Sequence, residues 1–134
     1  MRASTLAIRA AVIFALCGLG LGIAMGISHN HTLAPAHAHI NLVGWVSLFL
    51  FSMFYKTHPV IDTTRLAVAQ VGVWAFGGAV MTSGVALIYG VGPQYEPIAA
   101  VGSLIVFAGL LMFAYVVFRP ETSPSVMPGA APAE

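Results

Sequence analysis

The sequence predicts an all-α integral membrane protein, a four-helix bundle with both termini in the cytoplasm. Three observations lead there. Asp, Glu, Lys and Arg supply only 7% of the 134 residues, while apolar types supply 59%. Soluble domains carry roughly 25% charged residues, so this chain could not cover a water-facing surface. Four apolar segments approach the length of about 20 residues that crosses a bilayer as a helix. All five Lys and Arg residues fall on one side of the four-span arrangement.

The four segments make up a transmembrane domain over residues 1–119. The first runs over about 10–27. Its apolar stretch is longer than that of a secretory signal, and no small-x-small cleavage site follows closely, so it is read as an uncleaved helix. Gly18, Gly22 and Gly26 make two overlapping GxxxG steps, extended by Ala7, Ala11 and Ala15. Small residues let helix backbones approach in lipid. This face therefore serves packing inside the bundle or the seam of a homodimer. The second segment covers about 36–55, the third 66–90 and the fourth 98–118. Pro35, Pro59, Pro93, Pro97 and Pro120 fall at or just outside helix ends, where a missing N–H costs least. Asp62, beside Thr63 and Thr64, is placed to cap the third helix. Tyr55 and Tyr89 near helix ends read as interfacial residues. Residues 120–134, rich in Pro, Ala and Ser, read as a disordered cytoplasmic tail.

Arg2 and Arg9 precede the first segment, Lys56 and Arg65 join the second to the third, and Arg119 follows the fourth. The other two connections, Ser28–Pro35 and Val91–Pro97, contain neither Lys nor Arg. The positive-inside rule then places the basic side in the cytoplasm of a bacterial inner (plasma) membrane, in a multi-pass chain whose surroundings are the lipid bilayer. A net charge of +1 excludes a general electrostatic nucleic-acid binder. The single Cys17 excludes an intrachain disulfide and a thiolate metal cluster.

Chemistry concentrates in the histidines. Four of the five, His29, His31, His37 and His39, lie at the outer connection and the start of the second helix. Imidazole is the commonest side-chain ligand of transition metals, and ionisable groups inside a membrane are costly unless used. His37 and His39 project from nearly opposite faces. His37 heads the small and polar row Asn41, Gly44, Leu48, Ser52 and Tyr55, which should face the interior. His39 heads Val43, Val46 and Leu50, a row for lipid or a partner subunit. Glu96 and Tyr95 occupy the second outer connection. His29, His31, His37, His39 and Glu96 are thus enough donors for copper or zinc if the loops bring them together, which would make the chain a metal-binding membrane accessory protein; the other alternative is a structural membrane subunit whose histidines meet lipid headgroups.

The run His37-Ala38-His39-Ile40-Asn41-Leu42-Val43-Gly44-Trp45, ending in Phe54-Tyr55-Lys56, resembles helix two of the haem–copper oxidase subunit I superfamily. The likeness is to its nitric-oxide-reductase-like and cytochrome-c-oxidase branches. In that family a His-x-Asn-Leu pattern near the outer face supplies one axial ligand of a low-spin haem b. The resemblance therefore implies His39, followed by Asn41 and Leu42, as the haem ligand, with His37 as the competing choice from periodicity. It covers one helix. The family's second axial histidine, copper-site histidines and active-site tyrosine sit on helices with no counterpart here, and the third and fourth segments carry no histidine. The implied role is electron transfer or assembly within a respiratory complex, without oxidase chemistry in this chain alone. Met25 and Met81 are the in-chain candidates for a second axial ligand. A second copy offering its own His39 is the symmetric alternative. Gly77, Gly78 and Gly84 on the third helix would leave room for a flat macrocycle, with Trp45 or Trp74 packed on it.

Overall fold

The computed structural model describes residues 1–119, so the expected tail at 120–134 lies outside the described residues. The described chain is helical, and four helices are long and apolar enough to cross a membrane. They are α1 (Ala3–Ser28), α2 (Ala34–Thr57), α3 (Arg65–Gly90) and α4 (Glu96–Phe118). The four are successively antiparallel. The basic residues therefore gather at one end of the bundle and the histidine-bearing connection at the other.

α1 begins seven residues before the expected start at residue 10 and takes in Arg9. The reason is a small-residue face. Ala3, Ala7 and Ala11 are fully buried against the core, so helix continues down to the first residue that packs. At the far end, His29 closes the helix in the left-handed conformation, with φ 53°. Asn30 Oδ1 then accepts from the Thr32 backbone N–H at 3.0 Å, a local turn that reverses the chain.

α2 opens with Pro35 in its first turn, where proline's fixed φ suits a helix start. Its middle, Ile40–Val46, is wound as a π-helix between α-helical ends. The Phe14 ring of α1 presses on Gly44 in this stretch, into the space a Cβ would need. The Leu42 carbonyl accepts from Ser47 Oγ and the Val43 carbonyl from the Trp74 indole N–H, each at 2.8 Å. Trp74 thus ties α3 to the irregular turn of α2, and its polar edge is satisfied inside the membrane.

Asp62 does not cap the third helix, as its position suggested. Thr64 does so, its Oγ1 accepting from the Ala67 N–H at 3.2 Å. Asp62 instead reaches α1. Its two carboxylate oxygens accept from the Ser4 backbone N–H at 2.7 Å and from Ser4 Oγ at 2.8 Å. The helical turn Pro59–Asp62 carries the acid to that site.

α3 is the central helix. It touches α1, α2 and α4, while α4 packs mainly on α3. The α3–α4 contact is made through glycine. A Cβ on Gly77 would meet Ile105 and the Val106 nitrogen, one on Gly84 the Ala99 backbone, and one on Gly102 the Met81 backbone. Gly77 and Gly84 are therefore filled by α4. This corrects the expectation that they leave space for a macrocycle. Gly78 faces Val43 and Phe14 at ordinary contact distance.

The interior near the basic end combines Leu48, Phe51, Tyr55, Val71 and Trp74 with Phe113 of α4. The Phe51 ring meets Trp74 edge-on at 4.9 Å and Phe113 at 4.5 Å between centroids. Tyr55, expected at the interface, is fully buried, and its hydroxyl donates to Gln70 Oε1 at 2.9 Å. The Gln70 amide donates onward to the Gly109 carbonyl at 3.3 Å, so α2, α3 and α4 share one buried polar chain. Among the described residues no buried side-chain polar atom lacks a hydrogen-bond partner. In lipid that is a requirement, since water cannot compensate an orphan group.

Candidate functional site

The first two turns of α2 hold His37, His39 and Asn41, and their rings have different fates. His37 turns towards α1. Its Nδ1 lies 2.9 Å from the Gly18 carbonyl. A carbonyl only accepts, so Nδ1 carries the proton and donates. The ring also covers Gly22, where an added Cβ would come within 2.9 Å of Cε1. Asn41, one turn further, donates from Nδ2 to the His37 carbonyl at 2.9 Å and packs on Gly18. Gly18 and Gly22 are thus occupied by α2 of the same chain, which leaves Gly26 as the open member of the GxxxG series.

The interior row read from periodicity lies as drawn. Gly44, Leu48, Ser52 and Tyr55 are buried below His37 and Asn41. On the other row, Val46 and Leu50 are exposed, whereas Val43 turns in against Gly78.

His39 is half-buried. Its Nδ1 sits 2.7 Å from the Pro35 carbonyl of its own helix, so Nδ1–H donates there as well. In the neutral ring this leaves the Nε2 lone pair as the free coordinating position. A carbonyl holding the other ring nitrogen is the usual means of orienting a ligating histidine.

The remaining candidates do not converge on these two. His29 and His31 are exposed in the connection, and Glu96 is exposed at the start of α4. Among the described residues no three His, Cys, Asp or Glu side chains gather in a group able to hold a metal ion. Met25 is buried one turn above Gly22, on the α1 face that meets α2. Met81 is buried beneath Gly102 in the α3–α4 contact. Met81 thus fills a helix contact. Trp45 is exposed on the π stretch, whereas Trp74 is buried and bonded to Val43.

Two features of this region had no reading in the sequence. The π winding beginning directly after His39 carries no marker beyond Gly44. The bond from His37 to Gly18 depends on which helix lies opposite, and hydropathy does not say.

No protein-family model matches the chain, and no curated protein or solved structure matches it significantly.

Proposed function

We propose that this multi-pass protein binds haem b through His39 and serves electron transfer, or assembly, within a respiratory complex of the bacterial inner membrane. The supporting observation is the His39 Nδ1–H bond to the Pro35 carbonyl at 2.7 Å, which leaves Nε2 as the unengaged ring nitrogen. The sequence match of His39, Asn41 and Leu42 to the haem-ligand pattern of the oxidase family points to the same residue. His37 is the weaker candidate: its Nδ1 is held by Gly18 in the same way, but its Nε2 has the Asn41 amide nitrogen 3.4 Å away and its ring lies against Gly22. When bound, the haem would supply one-electron chemistry. His39 would hold the iron on one side, and its bond to Pro35 would fix the ring's tautomer and raise its basicity. Asn41 and His37 position the turn that carries His39 by locking α2 onto α1. Met81 is built into the α3–α4 contact, which leaves Met25, a second copy's His39 or a partner subunit to supply a further ligand.

The absorption spectrum of the detergent-purified full chain tests the reading. Soret and α bands are expected in the wild type and should be lost in His39→Ala. His37→Ala should retain the bands and melt at a lower temperature. Loss of haem in His37→Ala with retention in His39→Ala would transfer the ligand to His37. A wild type with no Soret band after expression in haem-replete cells would end the haem reading.

The proposal also orients the chain, with the basic end in the cytoplasm and His39 near the outer face. Reporter fusions after Glu134 and within Val91–Pro97 should report cytoplasmic and external positions respectively. The opposite pair of signals would reverse the orientation.

A further inference from the structure

We infer that the exposed side of α1 at the basic end is a binding site for an anionic phospholipid, with Arg9 holding the headgroup phosphate. Arg9 is part of α1, about 9 Å along its axis from Ala3 at 1.5 Å per residue. Its side chain is exposed on the open surface of α1, beside Ile8, Val12 and Ile13. Arg2, exposed at the N-cap, lies two helical turns below on the same side.

A guanidinium set among branched aliphatic side chains on a membrane-spanning helix needs an anionic partner or a path to water. Among the described residues the acids are Asp62 and Glu96. Asp62 is buried and spends both oxygens on Ser4. Glu96 begins α4 at the opposite end of the bundle. A phosphate fits the site chemically, because the planar guanidinium binds it with two parallel N–H donors.

The apolar half of the site selects a lipid over a free anion. Val12, Leu16, Leu19 and Ile23 are exposed at steps of three and four residues above Arg9. They form a continuous aliphatic stripe along which an acyl chain can lie. Phosphate below and hydrocarbon above, in that order along one helix face, are the two halves of a phospholipid.

The full-length protein is purified and mixed with micelles containing phosphatidylglycerol or phosphatidylcholine, and retained lipid is counted by native mass spectrometry. Phosphatidylglycerol should be retained in preference. Arg9→Gln should weaken its retention about fivefold, the factor that corresponds to the contribution of one basic residue near an anionic lipid surface. Arg9→Lys should fall between, keeping the charge and losing the paired donors. Arg119→Gln is the control for charge at the same end, since Arg119 lies over the Tyr115 ring, 5.6 Å from its centroid. It should leave retention unchanged. Inorganic phosphate should not displace the lipid. Equal retention by wild type and Arg9→Gln, an equal loss in Arg119→Gln, or displacement by inorganic phosphate would each overturn the assignment. Because Arg9 is exposed, its variants should melt as the wild type does without added lipid. That readout separates lost binding from lost fold.

Discussion

Gly102→Ala is expected to split α4 from the rest of the bundle. The methyl group would overlap the Met81 backbone nitrogen and Cα and stand 2.7 Å from Met81 Cβ. A side chain could rotate away from such a contact, but the backbone of the central helix cannot. Relief requires α3 and α4 to move apart along a contact that Gly77, Gly84 and Gly109 also keep close. Helix association in lipid rests on van der Waals packing and a few interhelical hydrogen bonds, so lost proximity is not recovered by hydrophobic burial elsewhere. Overpacking a tight contact costs about 1–3 kcal/mol, and backbone-to-backbone overlap belongs at the upper end. Unfolding of the purified protein by a denaturing detergent would read the loss. Gly26→Ala and Gly72→Ala are the matched controls, because a Cβ at either meets nothing within 4 Å. They should be neutral or gain up to about 1 kcal/mol of helix propensity. A Gly102→Ala protein that unfolds with the controls would show that α4 is not held at this point.

The same glycines show what a membrane sequence discloses and what it withholds. Four spans and a common end for the basic residues follow from hydropathy and charge, since lipid demands both. The inward row on α2 is also legible, because Asn41, Gly44 and Ser52 interrupt an apolar helix at its own period. Elsewhere the periodic signal fades. Apolar side chains face lipid and core alike, so hydropathy does not separate the two sides of α1 and α4, which differ in residue size instead: Ala3, Ala7, Ala11 and Gly18 are buried on α1, and Val12, Leu16 and Leu19 are exposed. Glycine says that something approaches closely, not whether it is a helix or a cofactor. Gly77 and Gly84 suit either, and the structure fills them with α4. His37 and His39 were separable by face, but the carbonyl that holds each ring was not. One lies on α1, and the other is the chain's own helical turn. The long-range cap was hidden for a related reason. Asp62 beside two threonines looks local, and only the fold brings Ser4 within reach across 58 residues.

That cap leads to the second large effect. Asp62→Ala should destabilise the bundle by roughly 2–6 kcal/mol, because two buried donors lose their acceptors and each costs about 1–3 kcal/mol when unsatisfied. The backbone N–H among them is the capping bond at the start of α1, so the usual cap cost of about 1 kcal/mol is already inside that sum. Both donors belong to Ser4, whose backbone N–H and hydroxyl point at the carboxylate. Asp62 is only 4% exposed, so water cannot fully replace the lost oxygens. The Ser4 carbonyl meanwhile accepts from Ser52 Oγ at 3.0 Å, so the disturbance reaches α2 as well. Asp62→Asn should cost less, about 1 kcal/mol, because one amide oxygen still accepts the N–H and the Ser4 hydroxyl can rotate to accept from the amide nitrogen. A double-mutant cycle identifies the contact. Ser4→Ala removes the hydroxyl donor and should lower the cost of Asp62→Ala, with a coupling of about 1 kcal/mol or more in the same unfolding assay. If the two losses simply add, the Ser4 hydroxyl carries none of the effect of Asp62, and the hold on the start of α1 rests on the backbone N–H alone, which Ser4→Ala leaves in place.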